Sequence, residues 1–209
     1  MRLIGSPARR RRRSRGQALV EFALVIPIFL TIFVAICEFT FLFSSYVSIG
    51  FASHDGDQLA ATLGNTAGAD VAVINRINTD VMTPADPKRI VAVDIFWVDT
   101  SSASGAPVGG WGGSVNTWTY VGGSHPYTLP DGSTVTLPYT QTTNGYPEAN
   151  RCNVNLGTGC ASGHSTVDTI GVRITYQHQW VTPFPNFIGG GPVGPTMQSI
   201  NLMRLEPVQ

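Results

Sequence analysis

The longest hydrophobic pattern in the chain is an uncharged run from Phe22 to Cys37, which continues after one glutamate to Phe43. As an α-helix, this stretch would be about 33 Å long, at about 1.5 Å per residue. The hydrocarbon core of a bilayer is roughly 30 Å thick. The pattern therefore predicts one transmembrane helix over residues 17–43, with a kink at Pro27 that lipid-embedded helices tolerate.

The residues after the membrane segment keep a helical pattern. Residues 44–63 can continue the same helix as a stalk, with a break at the glycines near 64–68. Apolar residues recur at helical spacing over residues 70–81, where Asp70 is in position to be the N-cap. We therefore predict a helical stalk and packing helix over residues 44–83.

The C-terminal residues 84–209 are predicted to form a β-rich domain, and in its last strand Ile200 and Leu202 are expected to face the core. The glycine-rich segment 100–166 holds only short strand candidates, such as 133–137, and is predicted to be a loop-rich insertion. The fold class is therefore α+β, with a long N-terminal helix, a short helix and an antiparallel sheet of about three to five strands. Three segments carry the clearest strand patterns: 89–98, 167–181 and 196–205.

Charge is distributed unevenly, although the formal net charge is zero. Seven of the 13 Lys and Arg residues lie in the first fifteen positions, with no acid among them. Basic residues before the helix and a net acidic segment after it predict that residues 1–16 are cytoplasmic and that the C-terminal domain lies outside the inner membrane. The apolar run is longer than that of a secretory signal peptide and lacks a small-x-small site, so cleavage after the helix is not expected. The N-terminal arginines are expected to attract anionic lipid headgroups, and no nucleic acid is predicted as a partner.

Two of the three cysteines, Cys152 and Cys160, frame a short loop of turn-forming residues. In an exported domain this arrangement favours a disulfide, because closing so short a loop costs little chain entropy. Two free thiols are the alternative. A zinc site is disfavoured, since the pair is not C-x-x-C and the chain has no second cysteine pair. Cys37 lies in the apolar run, where a lone cysteine usually behaves as a small hydrophobic residue.

The sequence has no pattern typical of an enzyme. Its four histidines show no H-E-x-x-H or H-x-H spacing, and the glycine-rich residues 109–113 do not open a helix after a strand. We therefore predict no catalytic residue, no metal and no cofactor. Four aromatic residues could bind a glycan, although such residues more often pack locally. These are Trp111, Trp118, Tyr120 and Tyr127.

The junction between the basic leader and the apolar run reads Gly16-Gln17-Ala18-Leu19-Val20-Glu21-Phe22. It resembles the processing site of type IV pilin-like precursors, which a prepilin peptidase cuts after the glycine. The resemblance implies that Gly16 ends the leader, that Gln17 becomes the new N-terminus and that Glu21 is the functional glutamate. Residues 17 and 21 share one helix face. A carboxylate at this depth needs a partner, and the α-amino group released on a neighbouring subunit could be that partner. Alternatively, Glu21 is an acid in the first turn that interacts favourably with the helix dipole.

The similarity extends to the TadE-like proteins of tight-adherence (Flp) pilus systems. In those proteins a second glutamate near the helix end is followed by an aromatic residue, as Glu38-Phe39 is here, and a stretch rich in small residues comes next, as at 52–61. His54 and Asp57 depart from the pattern, since the family often carries arginine there. The resemblance covers residues 15–63 and, more loosely, 167–207.

The resemblance implies a membrane-anchored minor pilin or pseudopilin-like component of a Flp/Tad pilus assembly and adhesion system. Gly16 and Gln17 would form the processing site, and Glu21 and Glu38 would act in assembly within the membrane. The implied partners are other pilin-type subunits, the Tad inner-membrane assembly platform, a prepilin peptidase and the lipid bilayer. An unprocessed, signal-anchored structural or adhesive surface protein is the alternative.

Overall fold

The computed structural model describes residues 10–101, 105–153, 160, 164, 166–183 and 189–206, with side chains from residue 16 onward. Within these residues, two α-helices precede five β-strands, and short 3-10 turns cover Pro87–Arg89 and Glu148–Asn150. The α+β class predicted from the sequence is confirmed. The elements are α1 (Arg10–Leu63), α2 (Ala69–Asp80), β1 (Ile90–Trp97), β2 (Val115–Thr128), β3 (Thr134–Asn144), β4 (Thr169–Gln179) and β5 (Val193–Arg204).

Helix α1 runs without a break from Arg10, through the apolar segment, to Leu63. It ends at Leu63, and Gly64 and Gly68 follow with positive φ angles of 55° and 83°. Only glycine adopts such angles at little cost, so these two residues allow the chain to turn sharply into α2. The predicted break near residues 64–68 is therefore present.

The predicted cap of α2 is wrong. The N-cap residue is Gly68, and Asp70 lies in the first turn of the helix. The backbone N–H groups of Gly68 and Asp70 donate to the carboxylate of Glu148, at 2.8 and 2.7 Å. A carboxylate from a distant part of the chain therefore caps the helix, which leaves the side chain of Asp70 available for other contacts.

The five strands form one antiparallel sheet in the order β3-β2-β1-β4-β5. Strands β2 and β3 are longer than the sequence predicted, since they occupy much of the segment 100–166. Many of their residues are threonine or glycine, and only a few inward positions are buried. A sheet edge with so few apolar positions gives no clear alternating pattern in the sequence.

Both helices pack on one face of the sheet. Buried residues of β1 and β4 face each other across the register, with Val93 opposite Ile174 and Ile95 opposite Val172. The Ser53 hydroxyl on α1 donates to the carbonyl oxygen of Val172 at 3.0 Å. The stalk part of α1 thus lies directly over β4, antiparallel to it.

Strand β5 presents the face opposite to the one predicted. Ile200 and Leu202 are 46% and 44% exposed, whereas Met197 is buried on the face that α1 covers. A period of two residues indicates that one face is buried but does not indicate which. Leu202 packs instead against Gly171. A Cβ atom added to Gly171 would lie 2.8 Å from the Cδ2 atom of Leu202.

Candidate functional site

The junction residues lie on the exposed surface of α1. An added Cβ at Gly16 would meet no atom within 4 Å. The side-chain amide of Gln17 donates to the Glu21 carboxylate at 3.1 Å, one helical turn away. All three residues are exposed. The predicted processing site and the predicted functional glutamate therefore share an open stretch of helix that a second protein can reach.

The apolar part of α1 contacts no other part of the protein that the structure describes over most of its length. Its most apolar window has a mean hydropathy of 2.7, and none of that window is buried. The hydroxyls of Thr31 and Thr40 donate to the carbonyl oxygens of Pro27 and Ile36, both at 2.8 Å. These donors are thus satisfied without water, as a helix in lipid requires. The segment fits a membrane anchor.

Glu38 differs from the apolar residues before it, because it is only 4% exposed. Its Oε2 atom accepts a hydrogen bond of 3.2 Å from the backbone N–H of Val181. Its Oε1 atom accepts from the backbone N–H of Thr182. The carboxylate therefore joins α1 to the chain that follows β4, a contact between segments with no local sequence signal.

His178 and Trp180 lie next to this contact at the end of β4, with ring centroids 5.5 Å apart in an edge-on arrangement. His178 is buried. Burial lowers the pKa of His178, the neighbouring Glu38 raises it and Arg89 lowers it. The net decrease from an already near-neutral value leaves the imidazole uncharged at neutral pH.

A second polar cluster lies at the far end of the sheet, where the structure joins Cys152 and Cys160 in a disulfide. Arg151 is fully buried and pairs with Asp70, which also accepts a hydrogen bond of 2.7 Å from Asn116. Local sequence patterns did not predict this ion pair. The cluster joins α2, β2 and the segment after β3, so its role is structural.

Asp168 is the centre of a third group of polar side chains. Its Oδ2 atom accepts from the Tyr146 hydroxyl at 2.6 Å and from the Cys152 backbone N–H at 2.9 Å. The Nδ1 atom of His164 lies 2.6 Å from Asp168 Oδ1. Burial and the Asp168 carboxylate raise the pKa of Tyr146 above its usual range. Tyr146 is thereby held protonated as a donor, which suits a structural bond better than nucleophilic or general-base chemistry.

Asp57 on α1 departs from the family pattern, and its sequence position near Asp55 predicts a solvated carboxylate on the stalk, which the structure contradicts. It is 0% exposed, and neither carboxylate oxygen has a hydrogen-bond partner within the described part of the chain. Burial raises the pKa of Asp57 to about 7. The packing around the stalk therefore favours the neutral acid.

The four aromatic residues of the possible glycan site lie on two faces of the sheet. Trp118 packs edge-on against Tyr127 in the main core, at 5.3 Å between centroids. Trp111 packs on the opposite face, where its ring lies 5.1 Å from that of Phe96 and 3.3 Å from the guanidinium of Arg173. They form no single aromatic platform. In the part of the chain that the structure describes, no three His, Cys, Asp or Glu side chains could hold a metal ion.

Comparison with known families bears on the helix that carries Gly16, Gln17, Glu21 and Glu38. Residues 16–56 match the family model for TadE-like protein. The N-terminal segment is TadE-like. The match confirms the resemblance over residues 16–56, and the TadE-like family is a structural family associated with Tad pili. It ends at residue 56, so the looser similarity over 167–207 stays a prediction. No curated protein and no solved structure matches the chain.

Proposed function

We propose that this chain is a membrane-anchored minor pilin or pseudopilin-like component of a Flp/Tad pilus assembly and adhesion system. One observation carries the proposal: Gly16, Gln17 and Glu21 occur together on an exposed face, at the start of an apolar helix that matches the TadE-like model. In this function the N-terminus is cytoplasmic, the helix anchors the protein in the inner membrane and the sheet domain lies outside.

The first step is hydrolysis of the peptide bond between Gly16 and Gln17 by a prepilin peptidase. Water adds across the bond, so Gly16 keeps the carboxylate of the leader and Gln17 gains a free α-amino group. The bond lies inside α1, and the peptidase must unwind this turn to reach it. A glycine within a helix costs about 1 kcal/mol relative to alanine, which makes local unwinding easier at Gly16.

The second step is helix association. Cleavage leaves a cationic amine and the Glu21 carboxylate at the inner edge of the hydrocarbon, where an unpaired charge is costly. A pair between the amine of one subunit and Glu21 of the next neutralises both charges. Because Glu21 is exposed and its described contact is only to Gln17, a neighbouring subunit can reach it. The partners are other pilin-type subunits and the Tad assembly platform.

N-terminal sequencing and intact-mass measurement of the native protein test the processing step. We expect the mature chain to begin at Gln17, and we expect Gly16→Leu to abolish cleavage because the peptidase accepts only a small residue there. Gly5→Leu, the same change elsewhere in the leader, is the matched control and should be cleaved normally. A chain that retains Met1 in cells with an active prepilin peptidase would contradict the proposal.

Co-purification of pilin-type subunits from membranes tests the role of Glu21. Glu21→Gln removes the charge but keeps the shape, so we expect normal insertion and a several-fold loss of associated subunits. Asp55→Asn, which changes an exposed acid on the same helix, is the control and should retain them. If Glu21→Gln and wild type recover equal amounts of associated subunits, Glu21 acts only as an acid in the first turn of the helix.

The second candidate function is an unprocessed, signal-anchored structural or adhesive surface protein. It is favoured by the position of the Gly16–Gln17 bond inside a continuous helix, since a helical bond is a poor protease substrate. The two functions differ in the native N-terminus. Retention of the leader together with exposure of the sheet domain at the cell surface would support this second function.

A further inference from the structure

The chain between β4 and β5 is attached to the membrane helix. We define the hairpin tip as residues 180–183 and 189–193. Its base is closed by a hydrogen bond from the Trp180 backbone N–H to the Pro192 carbonyl oxygen, at 3.4 Å. The Val181 and Thr182 backbone N–H groups both donate to the Glu38 carboxylate. The hairpin tip therefore lies at the height of Glu38 along α1.

This height can be compared with the thickness of a bilayer. Residues 18–37 of α1 span about 30 Å, which is the thickness of the hydrocarbon core. In the uncleaved chain, the arginines before Gly16 keep the cytoplasmic end of the helix from being drawn into the hydrocarbon. The hydrocarbon would then end next to Glu38. If it extended instead to Phe43, the hairpin tip would lie about 8 Å inside it. In both cases the hairpin tip is level with the bilayer.

The composition of the hairpin suits this depth. Between Arg173 and Arg204 the sequence contains no Asp, Glu, Lys or Arg, and His178 is buried. Val181 is 59% exposed and Val193 is 56% exposed, and Trp180 is partly exposed. Tryptophan is enriched at the level of lipid headgroups, where its ring contacts both apolar and polar surroundings.

We infer that the hairpin tip lies in the bilayer interface on the C-terminal side of the membrane helix and is a second lipid-contacting surface of this protein. The inference rests on the membrane anchor of the proposed function. Lipid is favoured over a protein partner because the surface is continuous with the lipid-exposed face of α1, where Phe39 is 66% exposed.

The contact with Glu38 gives a physical reason for this arrangement. Backbone N–H groups that leave water must find another acceptor, because each unsatisfied group costs several kcal/mol in lipid. Glu38 supplies acceptors for two such groups at the hairpin tip, and the two donors in turn stabilise a carboxylate at the edge of the hydrocarbon. Because Glu38 lies at the end of the apolar run, its carboxylate can satisfy these backbone N–H groups at the edge of the hydrocarbon.

Site-directed spin labelling of the full chain in lipid nanodiscs tests the inference. Labels are placed on single cysteines at Val181, Val25 and Ile200 in a Cys37→Ala background, with the disulfide kept oxidised. Ile200 is the matched control, since it is a similarly exposed aliphatic residue on the same hairpin. Ile200 is opposite Arg173 in the sheet, next to Val172, whose carbonyl oxygen accepts the hydrogen bond from Ser53. Ile200 therefore lies near the height of Ser53, which is about 22 Å from Glu38 along α1.

The measurement is the ratio of relaxation by dissolved oxygen to relaxation by a water-soluble nickel chelate. We expect this ratio to be highest at residue 25, and several-fold higher at residue 181 than at residue 200. A ratio typical of lipid at residue 25, together with equal ratios typical of water at residues 181 and 200, would overturn the inference while leaving the anchor intact. An aqueous value at residue 25 would overturn both the anchor and the inference.

Discussion

Arg151 and Asp70 form an ion pair inside the protein, with side chains 0% and 3% exposed, across 81 residues of chain. The same guanidinium lies 3.4 Å from the carbonyl oxygens of Gly64 and Tyr146. The pair therefore connects the end of α1, the first turn of α2 and the segment after β3. Three elements that are distant in sequence depend on one cation.

Replacement of Arg151 should be strongly destabilising. Arg151→Met leaves the Asp70 carboxylate buried without its partner, so we expect the free energy of unfolding to fall by about 3–5 kcal/mol. Urea unfolding of the full chain in detergent, followed by tryptophan fluorescence, measures this change. Arg76→Met is the matched control, because Arg76 is 54% exposed in its pairs with Asp55 and Asp80. It should cost no more than about 1 kcal/mol, and a similar cost for both variants would contradict the structural role of Arg151.

The buried Asp57 should make stability depend on pH. Its pKa is raised from 3.8 to about 7 in the folded protein. The stabilising contribution of the protonated carboxyl is therefore complete below about pH 4 and is lost as pH rises towards 7. Between pH 4 and pH 7.5, this group should lower the free energy of unfolding of the wild type by roughly 2–4 kcal/mol. Asp57→Asn should not show this loss.

Unfolding titrations of wild type and Asp57→Asn between pH 4 and 7.5 test this prediction. The difference between the two proteins isolates Asp57 from other titrating groups, such as His178. Asp55→Asn changes an exposed carboxylate two residues away and serves as the control, with little expected change in slope. Parallel pH curves for wild type and Asp57→Asn would contradict an effect of the buried carboxyl.

Gly56 should be required for the close approach of the two helices. An added Cβ would lie 2.9 Å from both Cγ1 and Cδ1 of Ile77 on α2. Gly56→Val should therefore lower the free energy of unfolding by about 1–3 kcal/mol through overpacking. Gly50→Ala, whose Cβ would meet only Ser199 Oγ at 4.0 Å, should raise it by up to about 1 kcal/mol. Chemical unfolding of both variants measures the contrast, and stabilisation by both would show that the helices can move apart freely.

The disulfide should contribute to stability through the loop that it closes. Cys152 and Cys160 are eight residues apart. The chain-entropy relation gives about 2.5 kcal/mol for a loop of this size, so Cys160→Ser should destabilise the domain by up to that amount. Alkylation before reduction, followed by peptide mapping, should label Cys37 alone in native protein. Label on Cys152 or Cys160 in unreduced, exported material would indicate free thiols instead.

The sequence alone predicted features that depend on neighbouring residues in the chain. The apolar run and the glycines after Leu63 predict α1 and its end, because hydrophobic length and backbone freedom are local properties. The motif from Gly16 to Glu21 likewise lies within two helical turns. These features are present in the structure, and the TadE-like match covers the motif.

Only the tertiary structure decided the contacts between distant segments. Asp70 was predicted to cap α2, but Glu148 takes that position and Asp70 pairs with Arg151. Ile200 was predicted to be buried, but α1 lies over the other face of β5. Glu38 was placed in the membrane by resemblance, whereas its hydrogen bonds to residues 181 and 182 arise from the antiparallel path of β4 along α1. Local patterns specify how a segment folds and that it buries one side, but the partner on that side depends on how all the segments pack.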